Sequence, residues 1–410
     1  MEILIQKFGG TSVQNKETRS QAIKHVKAAR REGYKVVTVV SAIGRSPQPY
    51  ATDSLLSLID FPNGYHSKRE VDLLLSCGEM ISAVVFSNEL KAEGLQATAL
   101  TGAQAGFVTT ADFTSAKIKS METDRIKQEL EVNDVVVVAG FQGQTDSGEI
   151  TTLGRGGSDT SAAALGAALD AKFIDIFTDV DGIMTADPRM VKDARTLKVV
   201  TYNEICNLAY QGAKVIHPRA VEIAMQAKIP LRVRSTAQEH VGTLVTASAD
   251  QGKGKDIPDR LITGIAHMSN ITQVKIESDQ QVEVLHAQVF KAMAEAGISV
   301  DFINIFPSGV IYTIPELHSE KAQTVLLELG YQPKFVPHCA KVSLVGAGMT
   351  GVPGVTAKIV ESLTNAGIQI LQSADSHTTI WVLVKDSDLV PAINALHQAF
   401  HLNDLARSKD

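Results

Sequence analysis

Short apolar runs alternate with longer amphipathic segments along roughly the first 245 residues, and this alternation is the feature that most limits the fold. Each apolar run has the length of one buried strand, and each amphipathic segment is long enough for a connecting helix. Such alternation favours a mainly parallel sheet with helices on both faces, an α/β fold. The predicted strands are Ile3–Phe8, Val36–Val40, Ala97–Thr101, Val135–Ala139, Phe173–Thr178 and Ile229–Val233. The predicted helices include Lys16–Glu32, Arg69–Glu93 and Ser158–Leu169.

The polar stretch Ala247–Asp259 interrupts this pattern and predicts a linker. Two successive βαββα patterns of similar size follow it, which indicates a duplicated ferredoxin-like module. The similarity is clearest at Ala294–Val300 and Thr364–Ile370, where a helix ends at a glycine and leads into an apolar strand. In the second copy, the predicted strands are Lys341–Val345, Ile368–Gln372 and Thr379–Val384. The predicted domains are an α/β domain at 1–246, a linker at 247–260 and two modules at 261–338 and 339–410.

Composition excludes several classes of protein. The apolar fraction of 44% and the charged fraction of 20% are typical of a globular protein, and a net charge of -6 argues against a nucleic-acid or membrane surface. No apolar run is long enough to cross a bilayer, and the first residues do not resemble a signal peptide. Cys77, Cys206 and Cys339 lack metal-ligand spacing, so we expect reduced thiols in a cytoplasmic protein.

The segment Thr151-Thr-Leu-Gly-Arg-Gly-Gly-Ser-Asp159 stands between a strand-like run and an alanine-rich helix. Its glycines allow the backbone to approach a ligand closely, and the N–H groups at a helix start favour negative charge. Arg155 adds a planar guanidinium that suits a carboxylate or a phosphate. The segment therefore predicts a site for small anions.

Three further segments carry candidate chemistry. In Lys7-Phe-Gly-Gly-Thr-Ser-Val13, paired glycines and a lysine follow a strand, which suits phosphate binding but also fits an ordinary tight turn. Phe177–Arg189 reads either as an acidic turn with a structural proline or as a nucleotide-binding edge. Gly212–Pro218 places Lys214 near the end of an element, and His217 before Pro218 is expected to be structural.

These segments, together with Ser76–Glu79 and Gly140–Phe141, occur in the order seen in aspartokinases, and the chain resembles this family over essentially its whole length. The resemblance implies an amino-acid kinase fold followed by two ACT-type modules. It also implies transfer of the γ-phosphate of ATP, with Mg²⁺, to the β-carboxylate of L-aspartate. The product would be 4-phospho-L-aspartate, at the start of the pathway to diaminopimelate and lysine, threonine and methionine.

The resemblance carries roles onto matching positions of this chain. Lys7 and Asp159 correspond to catalytic positions, and no side chain corresponds to a metal ligand. The implied substrate-binding residues are Thr52, Glu79, Phe141, Arg155, Gly156, Gly157 and Ser158. The implied ATP-binding residues are Lys7, Phe8, Gly9, Gly10, Ser41, Thr178, Asp179, Met184, Arg189 and Lys214. Met184 stands where many relatives have an aromatic residue, so its contacts with the nucleotide are expected to differ.

The chemistry of aspartate is compatible with these positions. The substrate has two carboxylates and one ammonium group, for which Arg155 offers a bidentate partner and Glu79 an anionic one. An aspartate carboxylate has an ordinary pKa near ~3.9 and is already ionised at neutral pH. No general base is then required, so we expect Asp159 to orient Lys7 or other polar groups rather than to abstract a proton.

Val345–Gly351 matches the GxGxxG pattern of dinucleotide-binding folds, with Asp375 as a possible ribose ligand. Only about sixty residues follow it, enough for one βαββα unit, so an ACT-type loop is the preferred interpretation. The implied effector-binding residues are Met349, Val352, Pro353, Gly354 and Val355. The first module lacks a matching Pro-Gly pair, which favours diaminopimelate over lysine or threonine only weakly. Paired ACT-type modules also imply a homodimer or a higher oligomer.

Two other functions remain open at this point. The first is another amino-acid kinase of the same fold, which would make a different phosphorylated product. The second is a non-catalytic amino-acid sensor with an inactive kinase half. The presence of Lys7, Arg155 and Asp159 argues against the sensor.

Overall fold

The computed structural model describes residues 2–213, 215–247, 261–277, 282–349 and 351–404. The chain forms two compact units. The first contains the residues up to Ile183, the segment Thr196–Ala209 and the described residues from Val215 to Ala247. The second contains Met184–Arg195, Tyr210–Ala213 and the described residues from Leu261 to Asp404.

The first unit is built from two sheets and a set of flanking helices. The strands are β1 (Ile3–Phe8), β2 (Lys35–Val40), β3 (Ala97–Leu100), β4 (Phe107–Thr109), β5 (Ile118–Met121), β6 (Val135–Ala139), β7 (Gln142–Thr145), β8 (Ile150–Thr152), β9 (Phe173–Thr178), β10 (Val199–Thr201), β11 (Leu231–Ser235) and β12 (Thr243–Thr246). The helices are α1 (Lys16–Arg31), α2 (Thr52–Ser57), α3 (Lys68–Ala92), α4 (Asp124–Val132), α5 (Gly157–Ala168), α6 (Tyr202–Tyr210) and α7 (Pro218–Ala227).

The larger sheet has the order β10-β12-β11-β9-β1-β2-β6-β3. All of its pairings are parallel except β11 with β12, which confirms the predicted mainly parallel sheet. Its central strands are rich in valine and buried because helices cover them. Val36 and Val137 share a core with Val26 of α1 and with Phe86 and Leu90 of α3. β-Branched residues suit such strands because their stiff side chains fit a pleated surface.

Two capping boxes determine where α1 and α3 begin. The side chain of Asn15 accepts a hydrogen bond from the backbone N–H of Thr18, and Ser67 and Glu70 form the same reciprocal arrangement before α3. Each box satisfies backbone donors that have no partner within the helix. These starts fix the phase of α3, the helix that carries Glu79.

The smaller sheet has the order β5-β4-β7-β8 and was not predicted from the sequence. Its strands have only three or four residues each, too few to display a clear period of two. The hydroxyl groups of Thr109 and Thr151 lie 2.6 Å apart in its interior. Strand β8 leads directly into the glycine-rich segment that precedes α5.

The second unit contains one antiparallel sheet with the order β14-β15-β13-β16-β18-β17. Its strands are β13 (Gly264–Glu277), β14 (Asp301–Phe306), β15 (Gly309–Pro315), β16 (Lys334–Val345), β17 (Gln372–Asp375) and β18 (Thr379–Lys385). Its helices are α8 (Val282–Glu295), α9 (Ser319–Glu328), α10 (Val355–Asn365) and α11 (Leu389–Ala399). The two βαββ-type halves share the long strands β13 and β16, and each half has its own apolar core.

Three features of the fold bear on the predicted boundaries. Residues Gly264–Met268 pair with the end of β16, so this part of β13 lies in the second half of the sheet, as the family resemblance implies for the strand Leu261–His267. Met184–Arg195 and Tyr210–Ala213 belong to the second unit because, for example, Ala186 and Val191 lie in its core. Strand β17 begins at Gln372, at the end of the predicted strand Ile368–Gln372. In the part of the chain that the structure describes, no helix is long and apolar enough to cross a membrane.

Candidate active site

Lys7 and Asp159 form an ion pair at the centre of the candidate site. Lys7 lies on β1 and Asp159 in the first turn of α5, and the Nζ–Oδ1 distance is 2.7 Å. Asp159 Oδ1 has no aligned hydrogen bond, so the contact is a charge pair rather than a directed bond. Asp159 Oδ2 accepts a hydrogen bond of 3.2 Å from the backbone N–H of His217. The structure thus joins the two residues that the sequence assigned to catalysis.

Gly9 and Gly10 form a tight turn directly after β1. A Cβ atom on Gly10 would lie 2.7 Å from the carbonyl oxygen of Gly44 and 2.8 Å from that of Ala42, so the turn has no room for a side chain. A Cβ atom on Gly9 would lie 3.5 Å from Lys7 Nζ. The turn therefore places backbone next to the lysine ammonium, an arrangement that suits an anion.

The start of α5 contributes small polar groups beside this turn. Ser41, which follows β2, donates a hydrogen bond of 3.0 Å from its hydroxyl to Ser158 Oγ. Gly156 caps the helix with φ of 70°, and a Cβ atom there would lie 2.1 Å from the His217 ring. Glycine is thus required at Gly156 both for its backbone angle and for lack of space. Lys7, Ser41 and Asp159 meet where the parallel strands β1 and β2 end, which is where open α/β sheets usually bind ligands.

Glu79 is a buried carboxyl group with one oxygen left without a partner. It is 3% exposed on α3, and its Oε1 accepts a hydrogen bond of 3.1 Å from the backbone N–H of Ala42. Its Oε2 is buried and has no hydrogen-bond partner in the described chain. Burial away from water raises the pKa of Glu79 to about 8. A bound cationic group would supply the missing partner.

Phe141 occupies a strained backbone position between β6 and β7. Its φ of 69° is unusual for a residue with a side chain, and such strain is held only where neighbours enforce it. Its N–H donates to Ser161 Oγ at 3.0 Å, and its carbonyl accepts from Leu153 N–H at 2.8 Å. A Cβ atom on Gly157 would lie 2.6 Å from the Phe141 ring. Thr52 is the first residue of α2, and its side chain makes no hydrogen bond within the described part of the chain.

Arg155 is exposed and lines a cavity of about 560 Å³. No hydrogen bond or ion pair to its guanidinium occurs among the described residues, and none joins it to Glu79. Arg155 and Glu79, the predicted ligands of the substrate's α-carboxylate and α-ammonium group, therefore do not pair with each other.

Thr178 is the last residue of β9, the other neighbour of β1 in the sheet, and Asp179 follows it. The Thr178 carbonyl accepts a hydrogen bond of 3.0 Å from Thr236 N–H, and the Thr178 hydroxyl donates to Asp179 Oδ1 at 3.1 Å. Asp179 lies 3.9 Å from the Arg45 guanidinium at the surface. The ring of Phe8 is fully buried, so only its backbone is available to a nucleotide.

The remaining predicted nucleotide-binding residues do not lie in the described part of the first unit. Met184 and Arg189 belong to the second unit. The Arg189 guanidinium bonds to Asp187 at 3.0 Å and 2.6 Å, and these bonds lower the pKa of Asp187. Lys214 lies outside the described residues. The roles of these three residues in nucleotide binding stay predictions.

Asp72 organises the site and was missed by the sequence analysis. It is fully buried on α3, and its carboxylate accepts hydrogen bonds from the N–H groups of Thr114 and Thr152 and from the Thr152 hydroxyl at 2.6 Å. It thereby ties α3 to the segment that leads into Arg155. The sequence did contain a signal for this role: Asp72 lies seven residues before Glu79, a spacing that places both acids on one face of the helix.

The second unit contains a cavity of about 720 Å³ at the start of α10. Four of the five predicted effector residues line it, namely Met349, Val352, Pro353 and Val355. The fifth, Gly354, caps α10 with φ of 92°. The sheet beside this loop is antiparallel, so the GxGxxG pattern does not belong to a dinucleotide-binding fold, which requires parallel strands.

Comparison with known proteins is consistent with this architecture. The model of the amino acid kinase family matches residues 2–235, and an ACT domain model matches residues 334–398. Aspartokinase 1 of Bacillus subtilis (strain 168) is 60% identical over 403 residues, which cover 98% of this chain and 100% of that protein. The aspartokinase of Geobacillus stearothermophilus is 40% identical over 412 residues, which cover 99% of each chain.

Solved structures give the same result. E. coli aspartokinase III in complex with aspartate and ADP, in its R-state, matches with a TM-score of 0.77 and 26% identity, covering 97% of this chain and 99% of that one. The same enzyme in complex with lysine and aspartate, in its T-state, matches with a TM-score of 0.74 and 26% identity, covering 98% and 100%.

Proposed function

The chain belongs to the aspartokinases of the amino-acid kinase family, and from this premise we propose that the Lys7–Asp159 pair is the centre at which it phosphorylates L-aspartate. The enzyme transfers the γ-phosphate of ATP to the β-carboxylate. A carboxylate oxygen forms a bond to phosphorus while the bond between the γ-phosphorus and the β,γ-bridging oxygen breaks, and ADP leaves. The single observation that carries the assignment is the 2.7 Å ion pair beside the Gly9–Gly10 turn.

Charge stabilisation is the main task of this centre. The attacking carboxylate and the transferred phosphoryl group are both anionic, and catalysis of such transfers rests on positioning and on electrostatic stabilisation. The Lys7 ammonium and the backbone donors of the glycine turn would stabilise the charge on the phosphoryl oxygens. Asp159 holds the lysine in place and takes no proton, because the nucleophile arrives ionised.

Glu79 and Arg155 are proposed to hold the substrate's remaining charged groups. The unpartnered Oε2 of Glu79 suits the α-ammonium group, and the free guanidinium of Arg155 suits the α-carboxylate. Ser158 and Phe141 border the same region, and Thr52, Gly156 and Gly157 complete the proposed substrate side. The complex of E. coli aspartokinase III with aspartate and ADP supports aspartate and an adenine nucleotide as the two ligands of the site.

The nucleotide is proposed to bind along the ends of β1, β2 and β9. Gly9, Gly10 and Ser41 would face its phosphates, with Thr178 and Asp179 near its ribose or base. Met184, Arg189 and Lys214 are added from the family resemblance alone.

Mg²⁺ is proposed to accompany ATP. This ion prefers oxygen ligands and is commonly held by substrate phosphates with one or two carboxylates. No cluster of at least three His, Cys, Asp or Glu side chains suited to a metal occurs among the described residues, and Asp159 is paired with Lys7. This donor set fits an ion carried by the ATP phosphates, where it would offset their negative charge.

Regulation is assigned to the second unit. The family's ACT domain supports allosteric control. We propose that an amino-acid end product of the aspartate pathway binds the cavity lined by Met349, Val352 and Pro353, with Asp375 at its rim. Diaminopimelate is the preferred effector, with lysine and threonine as alternatives; E. coli aspartokinase III has been solved with lysine.

We also propose a cytoplasmic homodimer or higher oligomer. Ile303 and Ile305 on the edge strand β14 are 44% and 59% exposed, and an apolar edge strand is a ready surface for pairing with a second copy. The described cysteines are all free, as expected in a reducing compartment. Light scattering after size exclusion should report at least twice the mass of the 43.9 kDa chain.

The kinase centre is tested by Lys7→Ala. Loss of one preorganised electrostatic donor should reduce kcat by about 10²–10³-fold in a coupled assay of ADP release. Lys24→Ala, which removes an exposed lysine of α1, is the matched control and should leave kcat unchanged. A near-normal kcat in Lys7→Ala would exclude the lysine from the mechanism.

A further inference from the structure

We infer that Arg219 is a second cationic ligand of the substrate's α-carboxylate, acting beside Arg155. The inference rests on the proposed function, because it assumes that Arg155 binds this carboxylate. Arg219 is the second residue of α7, which begins at Pro218. It lines the same cavity of about 560 Å³ as Arg155. Neither the sequence patterns nor the family resemblance assigned it a role.

One hydrogen bond joins Arg219 to the loop that carries Arg155. Arg219 Nη1 donates to the carbonyl oxygen of Leu153 at 3.3 Å. Two residues later, after Gly154 with φ of 73°, the chain reaches Arg155. The contact ties Arg219 to the loop that carries Arg155, and both side chains line one cavity.

The remaining donors of Arg219 lack acceptors in the described part of the chain. A guanidinium has five N–H donors, of which only the Nη1 bond to Leu153 is used. Burial lowers the pKa of Arg219, and Glu222, one turn further along α7, opposes this shift. A partly buried cation with unused donors favours an anionic ligand, because an unpaired charge away from water is costly.

The cavity lies next to the proposed phosphoryl-transfer centre. His217 connects the two: its backbone N–H bonds to Asp159, and it immediately precedes the first turn of α7. Burial lowers the pKa of His217, Asp159 raises it, and both Arg219 and Arg155 lower it. Both guanidinium charges are therefore near enough to affect the ring of His217, whose backbone N–H contacts Asp159. A carboxylate at this opening can accept hydrogen bonds from two guanidinium groups at once, since its two oxygens offer about four lone-pair sites.

Lys117 is a third cation on the cavity; it is exposed, and no hydrogen bond or ion pair joins its side chain to the Arg155 loop among the described residues. It provides a matched control, since its removal changes the charge of the cavity without touching the Leu153 bond. Leu153, Ile118 and Ile223 supply the apolar part of the lining. A small carboxylate with a short carbon chain fits such a lining better than a bare inorganic anion.

The test compares Arg219→Gln, Arg219→Lys, Arg155→Gln and Lys117→Gln in the full-length enzyme. Arg219→Gln should raise KM for aspartate about 10- to 100-fold, the range for one lost charge-assisted hydrogen bond, with KM for ATP nearly unchanged. Arg219→Lys should recover part of this loss, because a point charge replaces the planar group. Lys117→Gln should change KM for aspartate less than about threefold, as expected for a solvent-exposed charge.

β-Alanine separates a direct contact from a structural one. It has the ammonium and the reacting carboxylate of aspartate but lacks the α-carboxylate. Its inhibition constant should stay the same in Arg219→Gln if Arg219 binds that carboxylate. A parallel loss of aspartate and β-alanine affinity, or an equal rise of KM for ATP, would overturn the inference in favour of a structural or nucleotide role.

Two further outcomes distinguish a failure of this inference from a failure of the proposed function on which it rests. If Arg155→Gln raises KM for aspartate while Arg219→Gln does not, the proposed function stands and the role of Arg219 is refuted. If neither arginine variant affects aspartate, the proposed substrate site itself fails. Thermal unfolding of each variant shows whether it folds. If Arg219→Gln does not fold, the milder Arg219→Lys variant replaces it, and its KM for aspartate is compared with its KM for ATP in the same way.

Discussion

At the scale of single residues, Glu79 illustrates how burial prepares a group for its ligand. Its carboxyl is buried at 3% exposure and has one satisfied oxygen and one unsatisfied oxygen. An ionised carboxylate in this setting lacks a counter-charge, so the neutral acid is favoured and the pKa rises to about 8. A substrate ammonium at Oε2 would favour the ionised form, which links aspartate binding to release of a proton.

Aspartate affinity should therefore depend on pH through Glu79. Below about pH 8 the free enzyme holds the neutral acid, so binding must first ionise it. KM for aspartate should fall as pH rises from 6.5 to 8, by up to about tenfold per pH unit, and level off above that. Glu79→Gln should raise KM and remove the slope, while KM for ATP keeps its own profile. The same slope in the variant would assign the titration to another group.

At the scale of elements, the segment Met184–Arg195 is held against α11 of the second unit. The Thr185 hydroxyl and His397 Nε2 lie 2.9 Å apart, and Thr185 Oγ1 also accepts from Arg195 N–H at 3.0 Å. Asn394 of the same helix donates to the Met190 carbonyl at 3.0 Å. The Thr185 hydroxyl keeps its own proton, which a neutral His397 ring can accept, and burial lowers the pKa of His397, which favours the neutral ring.

His397→Gln should weaken this attachment. A protonated imidazole cannot accept from Thr185, and a lowered pKa means that the contribution of His397 to stability is present above about pH 6.5 and lost as pH falls below it. Asp193 opposes and Arg195 reinforces this lowering. We expect a loss of about 1–3 kcal/mol at pH 7.5 in denaturant unfolding, and a smaller loss at pH 5. His401→Gln, at an exposed histidine, is the control; a loss independent of pH would contradict the hydrogen-bond assignment.

Some elements of the fold could be predicted from the sequence alone, and others could not. The valine strands β2 and β6 were predicted because buried parallel strands are continuous apolar runs. Lys7 and Asp159 lie in glycine-rich segments that the sequence marked as anion-binding candidates, and their catalytic roles were implied by the family resemblance. The smaller sheet was missed because three- or four-residue strands have no measurable period. The packing of Ala186 and Val191 against α11, and of Arg219 against Leu153, depends on contacts between residues distant in the chain, which local patterns do not encode.

At the scale of the whole molecule, the proposed catalytic centre and the proposed effector cavity lie in separate units. The Lys7–Asp159 pair belongs to the first unit and the cavity at the start of α10 to the second. An effector can change catalysis only by the difference between its affinities for two states of the enzyme, a coupling commonly worth about 1–3 kcal/mol. An effector that weakens aspartate binding is itself bound more weakly, by the same factor, when aspartate is bound, because coupling between binding sites is reciprocal.

A variant that fills the cavity at the start of α10 should weaken inhibition by the effector without affecting catalysis. Val352 lines the cavity and Val360, with nearly the same exposure of 45% against 44%, lies on α10 away from it. Val352→Trp should leave uninhibited kcat and KM unchanged, while inhibition by diaminopimelate, lysine or threonine shifts at least tenfold to higher concentration, because the indole occupies the effector's space. Val360→Trp should respond to effectors as the unaltered enzyme does. Initial rates across the three effectors measure both, and unchanged inhibition in Val352→Trp would move the effector site away from this cavity.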